Sequence, residues 1–232
     1  MDQLKEKAAA VYAKVKEIDL SPENIIPQET IATTLDKCYT AALQGIPKTK
    51  SCYELAEEYR RKYNTPELAI RKFVNWQVAK CTASGFLTSL GGLITLPVAI
   101  PANLSSVWYV QLRMIATIAI LSGYDPSDDE VQTLAYLCLV GGSISKTFRE
   151  AGIKVGKNFA IGGIKKIPTE VIKKINHATA QRLITKFGEK GVINLGKMVP
   201  VVGGVIGGGF DFVGTHAIAN KASKTFLYGQ ID

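Results

Sequence analysis

Residues 81–123 read CTASGFLTSLGGLITLPVAIPANLSSVWYVQLRMIATIAILSG, and this stretch decides the fold of the chain. Arg113 is its only charged residue, and the 32 residues between Lys80 and Arg113 carry no charge, which is long enough to span a membrane. Glycines 91 and 92 and prolines 97 and 101 interrupt the apolar run. We therefore predict a buried hydrophobic helical hairpin, interrupted by glycine and proline, at the centre of a helical bundle.

The second arm of this hairpin, residues 104–121, has no clear polar side. A helix that is apolar all round is either enclosed by protein or faces lipid. A second glycine-rich segment, GGVIGGGFD at 203–211, spaces small residues four apart, as helices do where they approach one another closely. We expect glycines 91 and 92 to meet glycines 203–208 at the centre of the bundle.

Helix signals recur along the whole chain, and no alternating strand pattern outscores them. Ser51 and Glu54 fit a capping box, Asp125-Pro126 is interpreted as a cap followed by a first-turn proline, and Thr169 as a further cap. One or two imperfect helices are expected over 143–168. The fold is predicted to be all-α, a compact bundle of eight to ten helices. The clearer helices cover about residues 2–19, 22–43, 51–63, 65–85, 104–121, 125–140, 169–187 and 199–227.

Composition indicates a globular chain: 47% of its 232 residues are hydrophobic and 21% are charged. The four cysteines show no C-x-x-C spacing, and the start, MDQLKEKAAA, is too polar for a secretory signal. We expect reduced, buried thiols in a cytoplasmic protein. Peripheral attachment to the inner face of the membrane is the alternative location. The chain divides into an N-terminal helical segment, 1–64, and a helical domain, 65–232, which could also be continuous.

Positive charge is concentrated in one region, because residues 146–197 hold twelve of the Lys and Arg residues and only three acids. Such a region attracts an anionic membrane surface or a partner protein, although a solvated helix face is the plainer interpretation. Nucleic acid is disfavoured as a partner, and a lipid-like ligand is a further candidate. The lysines expected to form the membrane or partner surface are Lys165, Lys166, Lys173, Lys174, Lys186 and Lys190.

Motifs for catalysis, metal or cofactor binding are not evident. The glycine tract lacks the Lys and Ser or Thr of a phosphate-binding loop, because Phe210 and Asp211 follow Gly209. The two histidines, His177 and His216, lack a Ser or Cys partner, and structural roles are favoured for both. We therefore assign no catalytic residue, no metal site and no cofactor.

Charged residues inside apolar helices need partners. Asp211 lies in the glycine-rich segment and Arg113 in the central stretch, and a buried charge must be paired or shift its pKa. The polar residues around Asp211 and Arg113 are predicted to form either a structural hydrogen-bond network or a ligand site. Core positions are favoured over membrane-interface positions for Trp76, Trp108 and Tyr109, with Trp76 at the edge of its helix. The polar set comprises Asn103, Gln111, Arg113, Asp211, Thr215 and His216.

The C-terminal third contains an ordered set of residues that includes Arg182-Leu183, Asn194-Leu195, the run Pro200-Val201-Val202-Gly203-Gly204, and Asp211. In this order they resemble the EcsC family. The central stretch agrees, with Gly91-Gly92, Leu96-Pro97 and Gly123-Tyr124-Asp125. The resemblance covers about residues 65–228, and the chain has Ala102-Asn103 where family members often place an acid.

The resemblance implies a bacterial protein of a family named for a component encoded beside a transporter, and it implies no particular reaction. We expect a non-enzymatic accessory of a transporter or secretion system, associated with the membrane, that binds lipid or a partner protein. A membrane-inserting, pore-forming or toxin-like effector is one alternative. An enzyme acting around Asp211, Arg113 and His216 is the other.

Overall fold

A computed structural model of the chain describes residues 28–47, 49–82, 102–153, 167–187 and 206–231, without the side chains of 81–82, 102–104, 184–187 and 206–213. These residues form eight α-helices and no β-strand, which confirms the all-α prediction. A π-helical turn, Ser223–Leu227, follows the last helix. The helices are α1 (Gln28–Gln44), α2 (Cys52–Lys62), α3 (Pro66–Thr82), α4 (Ala102–Leu121), α5 (Asp129–Val140), α6 (Ile144–Glu150), α7 (Thr169–Phe187) and α8 (Ile206–Ala222).

Helix α4 is the centre of the bundle. It packs against α1, α2, α3, α5, α8 and the π-helical turn. Trp108, Tyr109, Leu112 and Ile115 are almost completely buried within it, because neighbours cover every side of the helix. The apolar helix over 104–121 is therefore enclosed by protein, as predicted. The glycines at 91, 92, 203 and 204, where the hairpin was expected to meet the second glycine-rich segment, lie outside the described residues.

Membrane crossing was the alternative use of this apolar sequence. Within the described ranges, no helix has both the length and the apolar character that crossing a bilayer requires.

Helix α2 begins with the predicted capping box. The Ser51 side chain accepts a hydrogen bond from the Glu54 backbone N–H at 3.2 Å, and the Glu54 carboxylate accepts one from the Ser51 backbone N–H at 2.8 Å. Both bonds satisfy donors that the first turn of a helix otherwise leaves unpaired. The next helix, α3, also starts as expected, since Thr65 Oγ1 accepts a hydrogen bond from the Leu68 N–H at 3.3 Å.

Helix α5 begins later than the sequence predicts. Asp125 and Pro126 belong to a turn, in which Asp125 Oδ1 accepts hydrogen bonds from the Ser127 backbone and side chain at 2.9 and 2.7 Å. The N-cap position falls at Asp128, whose side chain forms no capping bond. An aspartate side chain that accepts a hydrogen bond from the residue two positions later stabilises a turn, which competes with helix formation. The N-cap is therefore Asp128, and not the Asp125 that the sequence predicts.

One hydrophobic core joins the helices on both sides of residue 64. Ile31 and Leu35 of α1 and Leu55 of α2 belong to the same buried cluster as residues of α4, α5 and α7. The division into 1–64 and 65–232 stays a prediction. Cys38, Cys52 and Cys138 are buried thiols outside any disulfide, as expected, and burial raises the pKa of the Cys38 and Cys52 thiols to about 12.

Candidate functional site

The outer face of α3 presents an exposed tryptophan among basic side chains. Trp76 is 55% exposed, and Lys80 Nζ lies 5.1 Å from the centroid of its ring, within the range of a cation–π contact. Arg71 and Lys72, one turn earlier on the same helix, are also exposed. We call these four residues, Arg71, Lys72, Trp76 and Lys80, the α3 face. The prediction of a core position was wrong for Trp76 and is confirmed for Trp108 and Tyr109.

The periodicity of α3 explains why Trp76 faces outward. The buried positions recur at helical spacing, so they occupy one side of the helix, and that side is fully used without Trp76. Trp76 falls just outside the edge of this buried side, which agrees with the predicted position at the edge of the helix. The buried residues of α3 are Ala69, Ile70, Phe73, Val74, Gln77 and Val78.

Arg113, the single charge of the central stretch, is 4% exposed. Its Nη1 donates a hydrogen bond to the Lys50 carbonyl at 3.1 Å, and its guanidinium carbon lies 5.2 Å from the centroid of the Tyr109 ring. The Tyr109 hydroxyl is in turn 2.8 Å from Thr49 Oγ1. The described partners of Arg113 therefore lie on its own helix and on the connection before α2. The carbonyl oxygen and the face of the aromatic ring both carry partial negative charge, so both stabilise the positive charge of the Arg113 guanidinium.

The remaining members of the predicted polar set lie on two helices that pack together, α4 and α8. Gln111 is half-buried on α4, while Thr215 is buried and His216 half-buried on α8. The side chains of Asn103 and Asp211 lie outside the described residues. A network joining Arg113 to Asp211 therefore stays a prediction.

Two of the predicted surface lysines, Lys173 and Lys174, are exposed on α7. Lys165 and Lys190 lie outside the described residues, as do Lys166 and the side chain of Lys186. One other basic residue of this region has a structural role, because Arg182 donates to Thr147 Oγ1 at 2.6 Å and pairs with Glu150 at 3.1 Å. Part of the positive charge counted from the sequence is thus neutralised locally.

A groove of about 470 Å³ opens between α1, α5 and α7. Its α1 wall includes Glu29, Ala32 and Asp36, α5 contributes Tyr136, and α7 contributes Asn176 among others. The sequence analysis did not identify this groove. Asp36 and Tyr136 are one hundred positions apart, and only the packing of α7 against both α1 and α5 brings the three walls together.

A hydrogen-bond network stabilises the floor of the groove. The Tyr136 hydroxyl donates to Asp36 Oδ1 at 2.6 Å and accepts from Gln132 Nε2 at 2.6 Å, and Gln132 Nε2 also lies 3.2 Å from Asp36 Oδ1. Burial and the neighbouring Asp36 carboxylate raise the pKa of Tyr136, so its phenol keeps its proton. The ring of Tyr39 contacts that of Tyr136 edge-on, at 5.7 Å between centroids.

The α3 face and the groove each place charged groups beside apolar ones. Among the described residues, no group of three or more His, Cys, Asp or Glu side chains is arranged to hold a metal ion. The α3 face offers an amphipathic ring and positive charge, and the groove offers carboxylates beside an apolar wall. Each arrangement can recognise a charged ligand or surface of opposite sign.

Comparison with known proteins identifies the family. The model of the EcsC protein family matches residues 1–228 of the 232-residue chain. The match includes the first 64 residues, in which no resemblance had been identified from sequence. Comparisons with curated proteins and with solved structures returned no match. Because the family model covers nearly the whole length, the chain belongs to the EcsC family.

Proposed function

We propose that this EcsC family protein is an accessory that attaches peripherally to an anionic membrane surface, and that the α3 face is its contact surface. The observation that carries the proposal is the exposure of Trp76, which is 55%, beside Lys80 and one turn after Arg71 and Lys72. A single exposed aromatic side chain is common on protein surfaces, and what distinguishes Trp76 is the lysine one turn before it and the lysine one turn after it, Lys72 and Lys80.

The chemistry of the α3 face matches that of a lipid headgroup region. Tryptophan prefers the boundary between water and hydrocarbon, where its ring is apolar and its N–H remains hydrated. Lysine and arginine near an anionic bilayer each contribute about 1 kcal/mol of attraction, and their aliphatic stems can lie against the apolar boundary. Among the described residues, no acidic side chain forms an ion pair with Arg71 or Lys72. Both charges are therefore available to lipid phosphates.

The exposed lysines of α7 form the competing surface. Lys173 and Lys174 belong to a helix that packs against α1 and α5, whereas α3 packs against α2, α4 and α8. Because the two surfaces are on different helices with different neighbours, substitutions can separate their contributions. The α3 face is favoured because it combines an aromatic anchor with positive charge.

Flotation with lipid vesicles tests the proposal. The wild-type protein should float with vesicles of phosphatidylcholine and phosphatidylglycerol, and not with phosphatidylcholine alone. Arg71→Ala with Lys72→Ala should weaken binding roughly 30-fold, from about 1 kcal/mol per basic residue. Trp76→Ala should weaken it roughly ten-fold, because part of a large apolar surface leaves the bilayer.

Two matched variants serve as controls. Tyr228 is 58% exposed, so Tyr228→Ala removes an equally exposed aromatic side chain outside the α3 face and should leave vesicle binding unchanged. Lys173→Ala with Lys174→Ala removes the same charge from α7. If this α7 pair abolishes binding while the α3 variants retain it, the contact surface is α7 and the proposal is wrong. Absence of flotation at low salt would instead favour a partner protein as the occupant of the α3 face.

A further inference from the structure

The groove between α1, α5 and α7 has a lining unlike that of the α3 face. None of its described lining residues is Lys or Arg, while Glu29 and Asp36 contribute two carboxylates. Ala32, Leu35 and Ala180 contribute the apolar part of the lining. The groove therefore differs in charge from the α3 face, and none of the described side chains of α3 lines it.

The charged side chains that line the groove are hydrogen-bond acceptors. Glu29 and Asp36 contribute two carboxylates. The hydroxyl of Tyr136 already donates its proton to Asp36, and Gln28 Nε2 already donates to the His177 carbonyl at 3.0 Å. A ligand that supplies donors is therefore favoured over one that supplies acceptors.

We infer that the groove binds an aliphatic amine, that is, an ammonium group at the end of a short apolar chain. An ammonium offers three donors and a positive charge, which suit the carboxylates of Asp36 and Glu29. The aliphatic chain packs against Ala32, Leu35 and Ala180. The same chemistry occurs in a free diamine and in a lysine side chain of another protein.

The site is built on rigid elements. Helices α1, α5 and α7 supply its described walls, and the bonds among Asp36, Gln132 and Tyr136 fix one of the two carboxylates. A carboxylate oriented before binding loses little conformational entropy when the ligand arrives. We therefore expect Asp36 to give orientation and Glu29, which is exposed at the rim, to add charge.

Calorimetric titration of the full chain tests this inference with 1,4-diaminobutane, Nα-acetyl-lysine amide and the uncharged 1,4-butanediol. The diamine should bind and the diol should not, because the diol carries no charge. Glu29→Gln and Asp36→Asn should each weaken amine binding about ten-fold, the loss of one charge-assisted hydrogen bond. Glu67→Gln, which neutralises an exposed acid on α3, should leave binding unchanged.

The two amine probes distinguish the sources of the ligand. Binding of the diamine alone indicates a free small molecule, and binding of the lysine derivative as well indicates a side chain of a partner. Asp36→Asn also replaces the charged acceptor of the Tyr136 hydroxyl by a neutral amide, so thermal unfolding must show that this variant folds, and Glu29→Gln carries the test if it does not. The inference is wrong if neither amine binds at millimolar concentration, or if Glu67→Gln weakens binding as much as Glu29→Gln. Vesicle binding through α3 is unaffected by either result.

Discussion

Helices α3 and α4 each carry one tryptophan, and the two side chains have opposite environments. Trp108 on α4 is 1% exposed, whereas Trp76 on α3 is 55% exposed. Residues 83–101, which carry no charge, separate the two helices in the sequence. Helix α4 is covered by six neighbouring elements, and α3 buries one side only. An apolar helix in this part of the chain is therefore not by itself a membrane contact, and the proposed contact surface lies where an aromatic side chain is exposed beside a basic one.

The largest expected difference between the two helices is in stability. Trp108→Ala should lower the free energy of unfolding by about 3–5 kcal/mol, because it leaves a large cavity in a packed core. Trp76→Ala should change it by no more than about 0.5 kcal/mol. Urea denaturation followed by circular dichroism measures both. Equal losses for the two variants would mean that Trp76 is covered in solution.

A smaller effect is expected on the inner side of α3, at Gln77. Within the part of the chain that the structure describes, its buried Nε2 has no hydrogen-bond partner, which is unfavourable. Gln77→Met keeps the approximate volume, removes the unpaired donor and should raise the free energy of unfolding by about 1 kcal/mol. The matched variant Gln132→Met loses bonds to Asp36 and Tyr136, so it should lower the same quantity. Destabilisation by Gln77→Met would indicate that Gln77 has a partner in solution.

The smallest effect concerns the ion pairs of Glu58 on α2, whose pKa is lowered from 4.5 to about 2 by hydrogen bonds from Lys50 and Lys62. A lowered pKa in the folded chain means that the stabilisation is present above pH 4.5 and is lost as the pH falls towards 2. Because the pairs are largely solvated, the loss should be about 0.2–1 kcal/mol.

Chemical denaturation between pH 5 and pH 2 measures this effect. The free energy of unfolding of Glu58→Gln should fall less over this range than that of the wild type. Parallel curves for the two proteins would contradict a lowered pKa at Glu58.

Much of the fold could be predicted from local sequence signals. The capping box at Ser51 and Glu54 and the end of α5 at Val140, before Gly141, depend on bonding within one turn, and both boundaries agree with the predicted ones. The start of α5 was misassigned because Asp125 stabilises a turn of its own. Whether Asp125 caps the helix or stabilises a separate turn depends on the relative stability of these two local structures, which the sequence pattern does not show.

The candidate sites were less accessible to sequence reasoning. Trp76 was assigned to the edge of the buried stripe, but whether an edge position is covered depends on neighbouring helices. Asp36 and Tyr136 are far apart in sequence, and nothing in either segment indicates their contact. The one local signal was the strict spacing of the buried positions of α3, which already fills one side of the helix without Trp76.

The most direct test of membrane contact through α3 uses the fluorescence of Trp76. The chain has two tryptophans, so the variant Trp108→Phe leaves Trp76 as the only indole. Addition of vesicles containing phosphatidylglycerol should shift its emission to the blue and protect it from a water-soluble quencher, and high salt should weaken both effects. An emission spectrum and quenching that remain those of a solvent-exposed tryptophan, at low salt and with saturating anionic vesicles, would contradict the account.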